Sequence, residues 1–163
     1  MSLTWQITST GSDDTIRLGA LLANKLPGGS VIELTSDLGG GKTTFTRGLA
    51  QGLGSSDTVS SPTFTLKKIY KAGNKQIYHY DFYRLSDPGI LRDELAESLQ
   101  DAHAITVVEW SDIVRDVLPA ERISIKFAPM PTDPDERLIT ISYTEHYANA
   151  VHTAQAEWEE VRP

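Results

Sequence analysis

The chain has 163 residues, 39% of them hydrophobic and 23% charged, which is enough for one domain with a buried core. Its 15 basic and 22 acidic residues leave a net charge of −7, which argues against a free-standing electrostatic binder of nucleic acid, because phosphate contacts need a basic face. The absence of cysteine excludes a disulfide scaffold, a thiolate metal site and a cysteine nucleophile; no apolar run approaches the ~20 residues that span a bilayer, and Met1–Gln6 shows no signal-peptide pattern, so a cytoplasmic protein is expected.

In chain order, residues 3–8 read as a short strand. Ser12 is a candidate N-cap, with Asp13 and Asp14 suited to a helix N-terminus, and Ile16, Leu18, Leu21, Leu22 and Leu26 form the apolar stripe of the helix. Pro27-Gly28-Gly29 ends it, and Val31–Thr35 reads as a buried strand. After a glycine turn, residues 42–53 form a second helix with Phe45, Leu49 and Leu53 on one face. Phe64–Tyr70 and Gln76–Leu85 read as a hairpin turning at Ala72-Gly73-Asn74. Asp87-Pro88 opens a helix of about 12 residues carrying Leu91, Leu95 and Leu99. Ala104–Trp110 is a continuous apolar run broken only by Glu109, the pattern of a central strand. A short helix over 111–117 follows, then strands near 122–128 and 137–143 around a proline-rich turn, Pro129–Asp135. The segment 146–163 is expected as a C-terminal tail, helical or disordered, outside a single domain over 1–145. Strands alternating with helices, plus an inserted β-hairpin, predict an α/β fold with a mixed, mainly parallel central sheet in three layers.

Ser36-Asp37-Leu38-Gly39-Gly40-Gly41-Lys42-Thr43 carries the sharpest chemical signal. It matches the P-loop (Walker A) pattern G-x-x-x-x-G-K-[ST] except that Ser36 stands at the first glycine, and it sits between a strand and a helix as that pattern requires. Glycines let backbone N–H groups turn inward around phosphate oxygens, and the following helix presents its positive end. Asp37, Leu38, Gly39, Gly40, Gly41 and Thr44 thus line the expected nucleotide site, Lys42 reaches the β- and γ-phosphates, and the Thr43 hydroxyl ligates Mg²⁺. Ser36 raises a question of backbone strain if its position needs a positive φ.

Mg²⁺ prefers oxygen ligands, and two carboxylates suit it. Asp81 lies in the aromatic run His79-Tyr80-Asp81-Phe82-Tyr83, and Glu109 ends the apolar strand, where a Walker-B-type acid belongs. Thr63, in Ser60-Ser61-Pro62-Thr63, reads either as a switch-like sensor of the γ-phosphate or metal or as part of a plain Ser-Pro turn. For Trp110, strand alternation favours core packing, opposite the face of Glu109. Residues 60–84 hold five basic residues against Asp81 alone, a net of +4 that leaves −11 elsewhere, and read equally as a solvated edge hairpin or as a partner or nucleic-acid face.

Asp37–Leu49, Ser61–Leu66, His79–Leu85 and Val107–Trp110 together resemble, in order and spacing, the motifs of the TsaE family over roughly residues 10–143. The resemblance implies a bacterial P-loop ATPase, with ATP and Mg²⁺ as cofactors, needed for threonylcarbamoyladenosine in tRNA next to the anticodon. It implies TsaB and TsaD as protein partners, with tRNA met only through that complex. It further implies Lys42, Thr63, Asp81 and Glu109 as catalytic residues, Thr43, Asp81 and Glu109 as metal ligands, and Trp110 as a site tryptophan. Slow intrinsic hydrolysis stimulated by partners is expected. A small-molecule or nucleotide kinase is the alternative, weakened by the scatter of Arg84, Arg92, Arg115 and Arg122 where a lid would lie. A non-hydrolysing nucleotide-dependent module is the third reading. Base specificity is not legible, although no Asn-Lys-x-Asp guanine motif is present.

Overall fold

Two apolar runs set the middle of the molecule. In a computed structural model, which describes residues 2–36 and 40–161, Val31–Thr35 forms β2 and Ala104–Glu109 forms β5, paired in parallel. Both are buried along almost their whole length, as strands covered on two faces must be. Around them lie β1 (Leu3–Ser9), α1 (Ser12–Ala23), α2 (Lys42–Leu53), β3 (Lys67–Ala72), β4 (Lys75–Asp81), α3 (Ile90–Ser98), β6 (Ile123–Met130), β7 (Asp133–Tyr143) and α4 (Ala148–Val161).

The seven strands form one sheet in the order β1-β7-β6-β2-β5-β4-β3. Its centre, β6-β2-β5-β4, runs parallel, while β7 and β3 pair antiparallel with their neighbours. The β3–β4 hairpin therefore enters the sheet, with β4 in the parallel core and β3 as an edge. The fold is the expected mixed α/β architecture with a mainly parallel centre.

Each face of the sheet has its own core. On one, Ile32, Leu34, Ile105 and Val107 pack under Leu18, Leu22, Phe45 and Leu49 of α1 and α2. On the other, Val31, Tyr80 and Val108 pack with Leu91, Leu95 and Val114. α1 and α2 meet almost backbone to backbone. A Cβ on Gly48 would stand 2.1 Å from the carbonyl oxygen of Ile16, and one on Gly19 2.4 Å from that of Phe45, so only glycine permits this approach.

Several local expectations change. Ser12 is the first residue of α1 rather than its cap; Gly11 holds the cap position, and Asp14 instead accepts from the amide and hydroxyl of Thr10. β3 starts later than expected, because Leu66 takes a left-handed φ of 70° and its amide donates back to the Pro62 carbonyl, and β4 ends at Asp81 rather than Leu85. α3 starts at Ile90, after a turn in which the Gly89 amide donates to the Asp87 carboxylate. The β6–β7 turn narrows to Pro131-Thr132, since Pro129 is absorbed at a register shift. The stretch after Trp110 is a single 3₁₀ turn, Ser111–Val114.

Of the two states expected for 146–163, the described part is helical. Trp158 of α4 is buried against Trp5 with ring centroids 6.5 Å apart, and the Arg17 guanidinium lies 4.3 Å over its ring. This segment shares the core of α1 and β1 rather than trailing from it.

Candidate functional site

The site forms where β2, α2, β4 and β5 converge. β2 runs out at Thr35, and α2 begins at Lys42 behind Gly41, whose φ of 110° is a left-handed conformation that favours glycine. Among the described residues no side chain caps α2, so its first amides are available to an anion. Asp37, Leu38 and Gly39 of the phosphate-loop motif lie outside the described residues. Ser36 is described and is not among the residues with positive φ, so its side chain brings no left-handed strain.

Register places the acids. Glu109 pairs with Leu34 on one side and with Asp81 on the other, so the two carboxylates are lateral neighbours on the face that carries α2. Both are 2% exposed, and Lys42 is 6% exposed. The Lys42 ammonium stands 3.6 Å from Glu109 Oε1 and 4.6 Å above the Trp110 ring. Burial of these charges is tolerable because each faces an opposite charge or a donor. On its other oxygen, Glu109 meets His79 Nε2 at 2.5 Å. His79 is fully buried, and its Nδ1 has no partner among the described residues.

Asp81 is held by two donors, the Thr63 hydroxyl at 2.8 Å and the Tyr83 amide at 2.8 Å. Thr63 also shares a 2.7 Å hydrogen bond with Ser61. The loop carrying them is tied to β3, because the Lys68 ammonium bonds the Ser60 hydroxyl and the Tyr70 hydroxyl donates to the Ser60 carbonyl at 2.9 Å. The basic segment thus positions this loop as well as presenting charge.

Lys42, Thr43, Thr63, Asp81, Glu109 and Trp110 line one cavity of about 310 Å³, together with the Gly40-Gly41 backbone. The expected site residues that the structure describes are therefore brought together, with Thr44 also at its wall. Trp110 departs from simple alternation. β5 ends at Glu109, and Trp110 follows with φ 54° and ψ 55°, a left-handed conformation. Its side chain touches the reverse-face core, as alternation expects, but its ring also receives Lys42 and packs 4.7 Å from Tyr83.

Two features escape a reading of the sequence. His79 carried a faint signal, since it lies two residues before Asp81 and so on the same face. The second is an adjoining cavity of about 140 Å³ that shares Gly40, Gly41 and Thr44 and adds Ser9, Ser12, Thr15, Asp135 and Arg137. Ser9 and Arg137 meet only through β1–β7 pairing, which no local pattern reveals.

The family model for threonylcarbamoyl adenosine biosynthesis protein TsaE matches residues 9–139. The chain belongs to the TsaE family. A TsaE protein of Bacillus subtilis (strain 168), named for tRNA threonylcarbamoyladenosine biosynthesis, is 36% identical over 140 residues, covering 86% of this chain and 85% of the relative. One from Rickettsia conorii is 35% identical over 144 residues, covering 88% and 80%. The crystal structure of Bacillus subtilis YdiB superposes with a TM-score of 0.79 at 31% identity, covering 96% of this chain and 97% of that one. For this TsaE chain, no helix among the described residues is long and apolar enough to cross a membrane.

Proposed function

We propose that this chain is an Mg²⁺-dependent ATP-hydrolysing subunit of tRNA threonylcarbamoyladenosine biosynthesis, working in the cytoplasm with TsaB and TsaD. The observation that carries this reading is the meeting of a buried lysine and two buried carboxylates in one cavity, at a helix N-terminus that no described side chain caps. Lysine and helix amides are what a triphosphate requires, and paired carboxylates are what its metal requires.

Among the described residues no cluster of three or more acidic, histidine or cysteine side chains could hold a metal by itself. Asp81, Glu109 and the Thr43 hydroxyl fit Mg²⁺ as a partial set of hard oxygen donors, the remainder coming from phosphate and water. Bound there, the ion supplies neutralisation of phosphate charge.

The chain's own residues divide the rest of the work. Lys42 leaves Glu109 for phosphate oxygens and balances charge that grows during in-line attack by water on the γ-phosphate. His79 then remains as the partner that orients Glu109. Thr63, seated on Asp81, is placed to register a change at the γ-phosphate. The adjoining cavity beside Ser9, Ser12 and Arg137 offers polar groups for the nucleoside end.

The kinase alternative loses support. Arg92 is paired with Asp116, Arg115 with Asp112 and Arg122 with Glu33, so these three make no cationic lid. With a net charge of −7, contact with tRNA is assigned to the partners.

ATP turnover should be slow for the isolated chain and rise when TsaB and TsaD from the same organism are added. Co-purification with them in ATP should weaken for Asp81→Ala. Equal turnover with and without the partners, or no association in any nucleotide state, would refute the reading.

A further inference from the structure

A second buried glutamate lies on the strand that carries the phosphate loop. Glu33 is 6% exposed in the middle of β2, and its register partner on β5 is Val108, so it points to the face opposite Lys42 and Glu109. No role in nucleotide chemistry falls to it there. Its Oε1 accepts from the Ser124 hydroxyl at 2.9 Å and from Arg122 Nε at 3.2 Å. Its Oε2 accepts from the hydroxyl of Ser111, itself 5% exposed.

Ser111 is the residue after Trp110. The chain leaves β5 at Glu109 and turns through Trp110 in a left-handed conformation that a bulky residue adopts only when its surroundings enforce it. Three contacts bracket this turn. The Phe82 amide donates to the Glu109 carbonyl at 3.1 Å before it, the Trp110 ring packs on Tyr83, and the Ser111 hydroxyl is held by Glu33 after it. Only the last reaches back to β2. From this geometry we infer that Glu33 is a positioning residue, which grips Ser111 and so fixes the Trp110 turn that lays the indole over Lys42 in the nucleotide cavity. One carboxylate thereby links the strand entering the phosphate loop to the strand exit bearing Glu109. The role in nucleotide binding rests on the function proposed above; the grip on Trp110 does not.

The chain contains Trp5, Trp110 and Trp158, so protein labelled with 5-fluorotryptophan should give three ¹⁹F resonances, assigned with Trp110→Phe. In nucleotide-free protein, Ser111→Ala should move the Trp110 resonance toward its solvent-exposed position and leave those of Trp5 and Trp158 in place. Ser124→Ala, which removes a bond on the other oxygen, should leave all three in place. Glu33→Gln keeps an oxygen able to accept from Ser111 and should stay near wild type at Trp110 despite losing its charge. Mg-ATP affinity should fall roughly tenfold in Ser111→Ala, the scale of one hydrogen bond to a charged group. An unmoved Trp110 resonance in Ser111→Ala overturns the inference, as does a moved resonance with unchanged affinity. If the wild-type protein binds no nucleotide, the proposed function fails, and the resonances alone decide whether Glu33 holds the turn.

Discussion

Glu33 and Glu109 stand on adjacent strands of one sheet, both nearly inaccessible, yet their surroundings are opposite in kind. Glu33 is saturated, with Ser111, Ser124 and Arg122 covering its two oxygens. Burial by itself would push its carboxyl up, but the hydrogen bonds from Ser111, Ser124 and Arg122 together outweigh this and hold it below the usual carboxylate range. Glu109 has one oxygen against His79 and the other toward a lysine 3.6 Å away, at the edge of a cavity. That second contact is longer than a hydrogen bond and is shared with an aromatic face, so the lysine is free to change partners. A buried acid whose partners are complete serves the fold. A buried acid with a loosely paired cation and open space beside it is built for exchange.

The largest expected effect tests the open side. Lys42→Ala removes the cation facing Glu109 and should lower nucleotide affinity, measured by calorimetry, roughly 100-fold. Affinity equal to wild type would erase the contrast between the two acids.

The closed side should answer in stability instead. Glu33→Ala leaves Arg122 and two hydroxyls without their acceptor and should cost about 3 kcal/mol of unfolding free energy at neutral pH. Because the folded carboxyl titrates below its unfolded value of about 4.3, its contribution is complete above that value and is lost as pH falls through the lowered folded one. The difference between wild type and Glu33→Gln in denaturant titrations should therefore stay level from neutral pH to about 5 and close in stronger acid. A gap that widens in acid would show that the ionised form is not the one held.

The smallest effect lies just past the end of β2, the strand that carries Glu33. Ser36→Gly should leave nucleotide affinity within about twofold and lower stability by at most about 1 kcal/mol, since Ser36 needs no positive φ. A large gain in affinity would mean that serine strains the loop after all.

Much of this molecule is legible from one dimension. The apolar run over β5 and the Val- and Ile-rich stretch of β2 announced buried strands, and the strand–glycine–Lys-Thr order placed Lys42 at a helix start. Asp81 and Glu109 were suspect because acids rarely interrupt apolar strands without a reason. Boundaries were less legible where side chains compete with the backbone, as at Asp87 before α3 and Asp14 in α1. Alternation placed Trp110 against the reverse-face core but did not reveal its contact with Lys42, because alternation ends with the strand and nothing local marks the left-handed residue at its exit.

From the sequence alone came the order of elements, the phosphate-loop motif and the two candidate site acids, because periodicity and motif spacing are local properties of a chain. Tertiary structure alone decided which strands are neighbours, that Lys42 faces Glu109, that His79 backs it, and that Glu33 reaches Ser111 across 78 positions of sequence. Such pairings depend on register between strands far apart in the chain, and register is settled only when both faces of the sheet are buried together.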